Sequence, residues 1–212
     1  MTGVRSYGDP CGMARALDAV GERWSLLVVR ELLLGPKRFT DLRAALGASP
    51  NVLSQRLGEL EAAGVVQRLS VGGAQYELTD WGRELRPILL ALGRWGTQSH
   101  HRPSGDLSVD ALMLALETTF DPTRAADLHA RYELRLGDER FTVTVDRGKI
   151  EILRGAMSRA DTVIETDPTT LRAIAFGRTK LADATVEIRG DARIGRAFFR
   201  LFSAPTPTGA RP

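Results

Sequence analysis

Between residues 49 and 64, in the stretch SPNVLSQRLGELEAAG, leucines return with a helical period. Leu53, Leu57 and Leu60 recur at i, i+4 and i+7 and make one apolar stripe. Ser49 is a good N-cap, Pro50 suits the first helical position, where its missing N–H costs nothing, and Gly64 stops the helix. At about 100° per residue, Asn51, Gln55 and Gly58 point away from the stripe, with Ser54 on the flank. A solvated helix face ordinarily carries Lys and Glu. This one carries short uncharged groups that can hydrogen-bond base edges. Residues 65–69 then alternate as a strand, Gly72-Gly73 makes a turn and residues 75–78 return as a second strand. Upstream, residues 39–46 read as a short helix with Thr40 as cap and Leu42 and Leu46 buried, and Gly47-Ala48 is a turn. Helix, turn, helix and hairpin in this order predict a winged helix-turn-helix, whose first helix crosses the DNA backbone.

The surrounding pattern is helical. Residues 24–34 form a strongly apolar helix ended by Gly35-Pro36, and residues 11–20 a helix with Met13, Leu17 and Val20 inward. Thr79 caps a helix over 80–95, whose Trp81, Trp95 and apolar stripe from residue 85 to 92 suit either a core or a subunit interface. A polar stretch, SHHRPSGD at 99–106, reads as a linker. From residue 107 the pattern restarts. Ser108 caps a helix over 109–120 with Leu112, Leu116 and Phe120 inward. Residues 131–136, 140–145 and 149–153 alternate as a three-stranded meander with Tyr132, Leu134, Phe141, Val143, Ile150 and Ile152 on one apolar face. A fourth strand at 162–166, a helix over 168–176 capped by Asp167, a short strand at 186–188 and a last helix capped by Asp191 complete the chain.

Composition narrows the function classes. The 212 residues have room for two small domains, and 43% hydrophobic content can build real cores. No run of 18 apolar residues exists, so no membrane span is expected, and the N-terminus lacks a signal pattern. One cysteine excludes an internal disulfide framework and suits a cytoplasmic protein. Residues 1–103 hold 13 basic against 10 acidic side chains and residues 104–212 hold 16 against 16, so the whole excess of +3 lies in the half that reads as DNA-binding. No phosphate-binding glycine loop, nucleophile elbow or zinc-protease motif is present. His100, His101 and His129 are too few and too scattered for a metal site. Neither an enzyme nor a cofactor is expected.

Cys11, followed by residues 16–43, 49–66, 76–85 and 92–96, makes residues 11–96 similar to the HxlR family of bacterial winged helix-turn-helix regulators. The resemblance implies a homodimeric transcription factor on a near-palindromic double-stranded operator, with its first and last helices at the dimer interface. Asn51, Ser54 and Gln55 become the base-reading set. Arg38, Thr40, Arg43, Arg56 and Arg68 become candidate phosphate contacts, each Arg suiting a surface ion pair as well, and Gly72, Gly73 and Gln75 become the wing. The chain departs from the family pattern twice. Pro10 precedes Cys11 where the family has Pro after its Cys, and the wing is a plain SVGGAQ. Family members sense oxidants or electrophiles at a matching cysteine, which makes Cys11, at a helix start, a candidate redox sensor, although it lacks an internal resolving partner.

Residues 160–202, with a strand ending in TDP, Leu171, Gly177, Ile188-Arg189-Gly190-Asp191 and Leu201-Phe202, resemble the sterol-carrier-protein type 2 family. That resemblance implies a five-stranded sheet with helices around an apolar cavity. Phe176 and Phe198 then join the meander face as pocket residues for a hydrophobic small-molecule effector. A filled core would use the same positions. The expected fold is α+β, with a winged helix-turn-helix over 1–98, a linker at 99–106, an antiparallel-type five-stranded sheet with helices over 107–203 and a flexible tail at 204–212. The expected function is a ligand-responsive, dimeric repressor. The competing readings are a lipid carrier or a protein adaptor with a vestigial helix-turn-helix.

Overall fold

The computed structural model describes residues 6–69, 74–99 and 105–203. The chain divides into two compact units, residues 1–89 and 90–212.

The first unit runs α1 (Gly12–Val20), α2 (Ser25–Leu32), β1 (Lys37–Arg38), α3 (Phe39–Leu46), α4 (Pro50–Ala62), β2 (Val66–Leu69), β3 (Gln75–Leu78) and α5 (Asp80–Arg83), and α6 (Leu85–Gly96) begins in it. Ser49 Oγ accepts the Val52 N–H at 3.4 Å with Pro50 at the first helical position. Leu53, Leu57 and Leu60 are wholly buried with Leu42, Val28 and Val29. The three strands form an antiparallel sheet in the order β1-β3-β2. β1 is too short for any periodicity to announce. It pairs Lys37 with Tyr76 and Arg38 with Gln75, which keeps the backbone extended up to Arg38 and starts α3 at Phe39. Thr40 therefore lies inside the first turn rather than at the cap. The Arg38 N–H is taken by the Asp41 carboxylate at 3.2 Å, an acid in the first turn where the helix dipole favours it.

Two further expectations change. The single helix over 80–95 is interrupted at Glu84, because Pro87 has no N–H for the Arg83 carbonyl and its ring would strike that oxygen. Met13 and Leu17 are not inward. α1 packs on α4 with Ala14 and Val20 buried, and leaves Met13 71% and Leu17 43% exposed. Gly82 marks a close approach, since a Cβ there would lie 2.1 Å from the Val65 carbonyl oxygen. Thr79 closes the same junction. Its hydroxyl donates to the Gly64 carbonyl at 2.7 Å and accepts the Gly82 N–H at 3.0 Å.

The second unit contains α7 (Val109–Thr119), β4 (His129–Leu136), β5 (Glu139–Asp146), β6 (Lys149–Arg154), β7 (Thr162–Thr166), α8 (Pro168–Ala175), a 3-10 turn (Leu181–Asp183), β8 (Glu187–Gly190) and α9 (Ala192–Phe198). The expected caps are in place. Ser108 accepts the Ala111 N–H, Asp167 the Thr170 N–H and Asp191 the Arg193 and Ile194 N–H groups. Phe120 ends α7 half-buried and bridges to Phe202 rather than pointing into the core. The sheet order is β6-β5-β4-β7-β8.

This sheet is mixed rather than antiparallel throughout, because β7 runs parallel to β4 from Tyr132↔Thr162 to Leu136↔Thr166. The cause is the path of residues 155–161. Gly155 N–H bonds the Arg140 carbonyl at 2.8 Å, Met157 N–H bonds the Glu133 carboxylate at 3.1 Å and Asp161 N–H bonds the Arg131 carbonyl at 2.8 Å. The connection thus crosses over β5 and β4 and arrives beside the start of β4. From there β7 can only run in the direction of β4.

Candidate nucleic-acid interface

α4 presents a face opposite its buried leucines. Asn51, Ser54, Gln55 and Gly58 are all exposed on it, as the helical spacing predicts. Gln55 is not a free amide: its Nε2 donates to Glu59 Oε1 at 2.9 Å. Glu59 is in turn ion-paired with Arg56, which also reaches Glu22 at 3.6 Å. Arg56, with only 12% of its side chain exposed, faces the body of the unit rather than a phosphate path. Arg68 on β2 lies over the Tyr76 ring at 5.2 Å and pairs with Glu61 at 3.2 Å, with 57% of its side chain still exposed. Arg38 and Arg43 are exposed and make no ion pair among the described residues. The Thr40 hydroxyl is engaged with Asp41 at 3.2 Å. Gln75 is half-buried at the loop end of the hairpin, paired with Leu69, while Gly72 and Gly73 lie outside the described residues.

The bond between Glu59 and Gln55 and the burial of Glu31 escaped the sequence reading. Glu59 stands four residues after Gln55, a spacing that places both on one helix face and could have revealed the pair. Glu31 on α2 is completely buried. Its carboxylate accepts from Arg30 at 2.8 Å and from Lys37 at 3.3 Å, which ties β1 and the hairpin to the helical core. A carboxylate among apolar neighbours is stable only with such donors around it.

Cys11 is exposed as the N-cap of α1, and its N–H donates to Asp9 at 2.9 Å. In the second unit, Tyr132, Leu134, Phe141, Val143, Ile152 and Phe198 are wholly buried. The Phe198 ring packs on Tyr132, Phe199 and Phe202 with centroids 5.0–5.4 Å apart. The Tyr132 hydroxyl donates to the Ile194 carbonyl at 3.4 Å, and burial, with the Asp161 charge beside it, pushes the phenol above its ordinary range. Ile150 and Phe176 are half-buried. Among the described residues no group of three metal-ligating side chains exists, and no helix is long and apolar enough to cross a membrane.

Several large apolar side chains remain exposed. Ile88, Leu92 and Trp95 form an exposed stripe on α6 at i, i+4 and i+7, and α6 has no buried residue at all. Trp81 on α5 and Met13 and Leu17 on α1 are exposed as well. Exposed apolar stripes such as that on α6 mark association surfaces.

The model of the HxlR-like helix-turn-helix family matches residues 19–104, and the model of the SCP-2 sterol transfer family matches residues 112–203. The uncharacterized HTH-type transcriptional regulator YvaP of Bacillus subtilis (strain 168) is 43% identical over 89 residues, which are 40% of this chain and 82% of that protein. The chain belongs to the HxlR-like helix-turn-helix family. The uncharacterized HTH-type transcriptional regulator Rv3095 of Mycobacterium tuberculosis is 38% identical over 105 residues, 48% of this chain and 65% of that protein. Among solved structures, the reduced form of the transcriptional regulator YodB from B. subtilis matches with 29% identity and a TM-score of 0.39, over 46% of this chain and all of that one. The HxlR-like match falls on the half of the chain that contains α4.

Proposed function

We propose that this HxlR-like protein is a dimeric transcriptional repressor that binds a pseudo-palindromic operator and acts by binding rather than by catalysis. The observation that carries this reading is the outward face of α4. Asn51, Ser54 and Gln55 sit exposed and uncharged above a leucine stripe that fixes the helix to the core. In a major groove, amides make paired hydrogen bonds to adenine worth about 1–3 kcal/mol of discrimination each. Arg38 and Arg43 are the side chains best suited to phosphates, with Arg68 at the hairpin, since Arg56 is already held by two carboxylates. Dimerisation uses the exposed stripes of α1 and α6. Two copies then read half-sites about one helical turn of DNA, or a multiple of it, apart. A DNA-binding role implies a cytoplasmic protein.

A hydrophobic effector acting through the C-terminal unit belongs to this proposal. Its support is the SCP-2 match over residues 112–203. Six of the eight expected pocket side chains are wholly buried, and Ile150 and Phe176 are half-buried.

The test is a gel shift and footprint on the promoter of the protein's own gene and on random duplex. Gln55→Ala is expected to weaken operator binding about tenfold, within the range for one bidentate contact, and to leave random-duplex binding nearly unchanged. Equal loss on both duplexes, or protection of one half-site by a monomer, overturns the proposal.

A further inference from the structure

We infer that Glu59 is a positioning residue that fixes the orientation of the Gln55 amide and thereby sets which base Gln55 reads. The inference rests on the operator-binding role proposed above and adds a residue that makes no contact with a base.

An amide has two ends that look alike in shape and opposite in chemistry, one oxygen acceptor and one nitrogen with two N–H donors. A free Gln on a helix surface presents either end to a groove. Here the amide is held. Glu59 is a carboxylate and only accepts, so the end facing it at 2.9 Å must be Nε2. One N–H is consumed, and the other N–H and Oε1 remain for the groove. That is the donor and acceptor pair that adenine needs, with N7 accepting from the amide and the N6 amino group donating to its oxygen. Gln55 can thus use both N–H donors and its oxygen in one arrangement, one N–H on Glu59 and the other N–H with Oε1 on one adenine.

Glu59 is itself held. Its second oxygen is ion-paired with Arg56, whose guanidinium also reaches Glu22 Oε2 at 3.6 Å, in the connection between α1 and α2. The side chain of Arg56 is 12% exposed, so the anchor faces the body of the unit while Glu59 (44%) stays at the surface. A line of contacts therefore runs from Glu22 through Arg56 and Glu59 to the reading amide. Pre-setting the amide lowers the side-chain entropy lost on binding and removes the wrong orientation from competition.

Glu59 should also carry a cost. A carboxylate on a DNA-facing helix repels phosphate, so it weakens sequence-independent binding. A residue kept only for helix stability would not produce opposite effects on specific and non-specific binding.

The experiment selects bound sequences from a randomised duplex pool with the full-length protein and reads base preference position by position. Wild type is expected to show an adenine preference that Gln55→Ala abolishes at one position in each half-site. Glu59→Ala is expected to reduce that preference about tenfold at the same position only, while affinity for random duplex rises. Glu59→Gln both donates and accepts, so it no longer fixes which end of the Gln55 amide faces the groove, and is expected to lower the preference at the same position. Combined with Gln55→Ala, Glu59→Ala should add nothing at that position. Unfolding midpoints of all variants exclude loss of fold. Adenine preference unchanged in Glu59→Ala, or an equal fall at every operator position, overturns the inference while leaving base reading by Gln55 intact. An unchanged preference in Gln55→Ala overturns both.

Discussion

Glu133 keeps its charge where little water reaches it. Burial pushes its carboxyl up, but the Arg135 guanidinium at 2.7 Å, the Met157 N–H at 3.1 Å and the charges of Arg135 and Arg140 outweigh that, and the group lies below its ordinary value. A depressed carboxylate contributes stability that is present above its unfolded value and is lost as pH falls through its folded one. Acidification below about pH 4 should therefore lower the urea midpoint of the wild type, and Glu133→Gln should make that acid limb shallower. Identical limbs would show that the contacts of Glu133 do not favour its charged form. At this scale, caps were the most legible feature. Ser49, Ser108, Asp167 and Asp191 bond N–H groups two or three residues away, so their chemistry is visible in a short window. Thr40 misled because the competing acceptor, Asp41, depends on where β1 ends. The bond from Met157 to Glu133 spans 24 residues, and no local pattern announces it.

Among the elements, alternation identified every strand of the second unit except for a residue or two at the ends. It could not identify neighbours, since a period of two reports which face a side chain takes and not which strand lies alongside. The parallel β4–β7 pair follows from the path of 155–161, and the break between α5 and α6 from Pro87. Nor could alternation separate a pocket from a filled core. Val143 is wholly buried between Tyr132 on β4 and Ile152 on β6. Overpacking such a site ordinarily costs about 1–3 kcal/mol. Val143→Phe should lower the unfolding free energy of the C-terminal unit by that amount, read as a fall in its urea midpoint. A neutral or stabilising Val143→Phe would mean that a space wide enough for a ligand lies behind it.

For the molecule as a whole, the division into a winged helix-turn-helix and a second α+β unit was readable from the change of period near residue 107 and from the charge excess confined to the first half. The surface stripes were readable only as one of two alternatives, since residues 85–92 suited a core as well as a subunit interface. Leu92 and Met13 look like core residues in a one-dimensional pattern, because a helix that buries its stripe in another subunit has the same sequence as one that buries it at home.

The crossing connection has a consequence for the order in which the chain is made. β4 emerges first of the five strands of its sheet, yet it ends at the centre, with β5 on one side and β7 on the other. From the synthesis of Leu136 until Thr162–Thr166 follows, its second edge has no partner, and Tyr132, Leu134 and Leu136 lie uncovered beside it. An open, apolar strand edge is a template for pairing with other chains, and parallel pairing over a long loop is slow to form. A chain stopped before Thr162 should therefore form larger, concentration-dependent assemblies than the full chain, a difference that sedimentation would resolve. A truncated chain that stays soluble and unassociated would mean that the nascent meander protects β4 on its own.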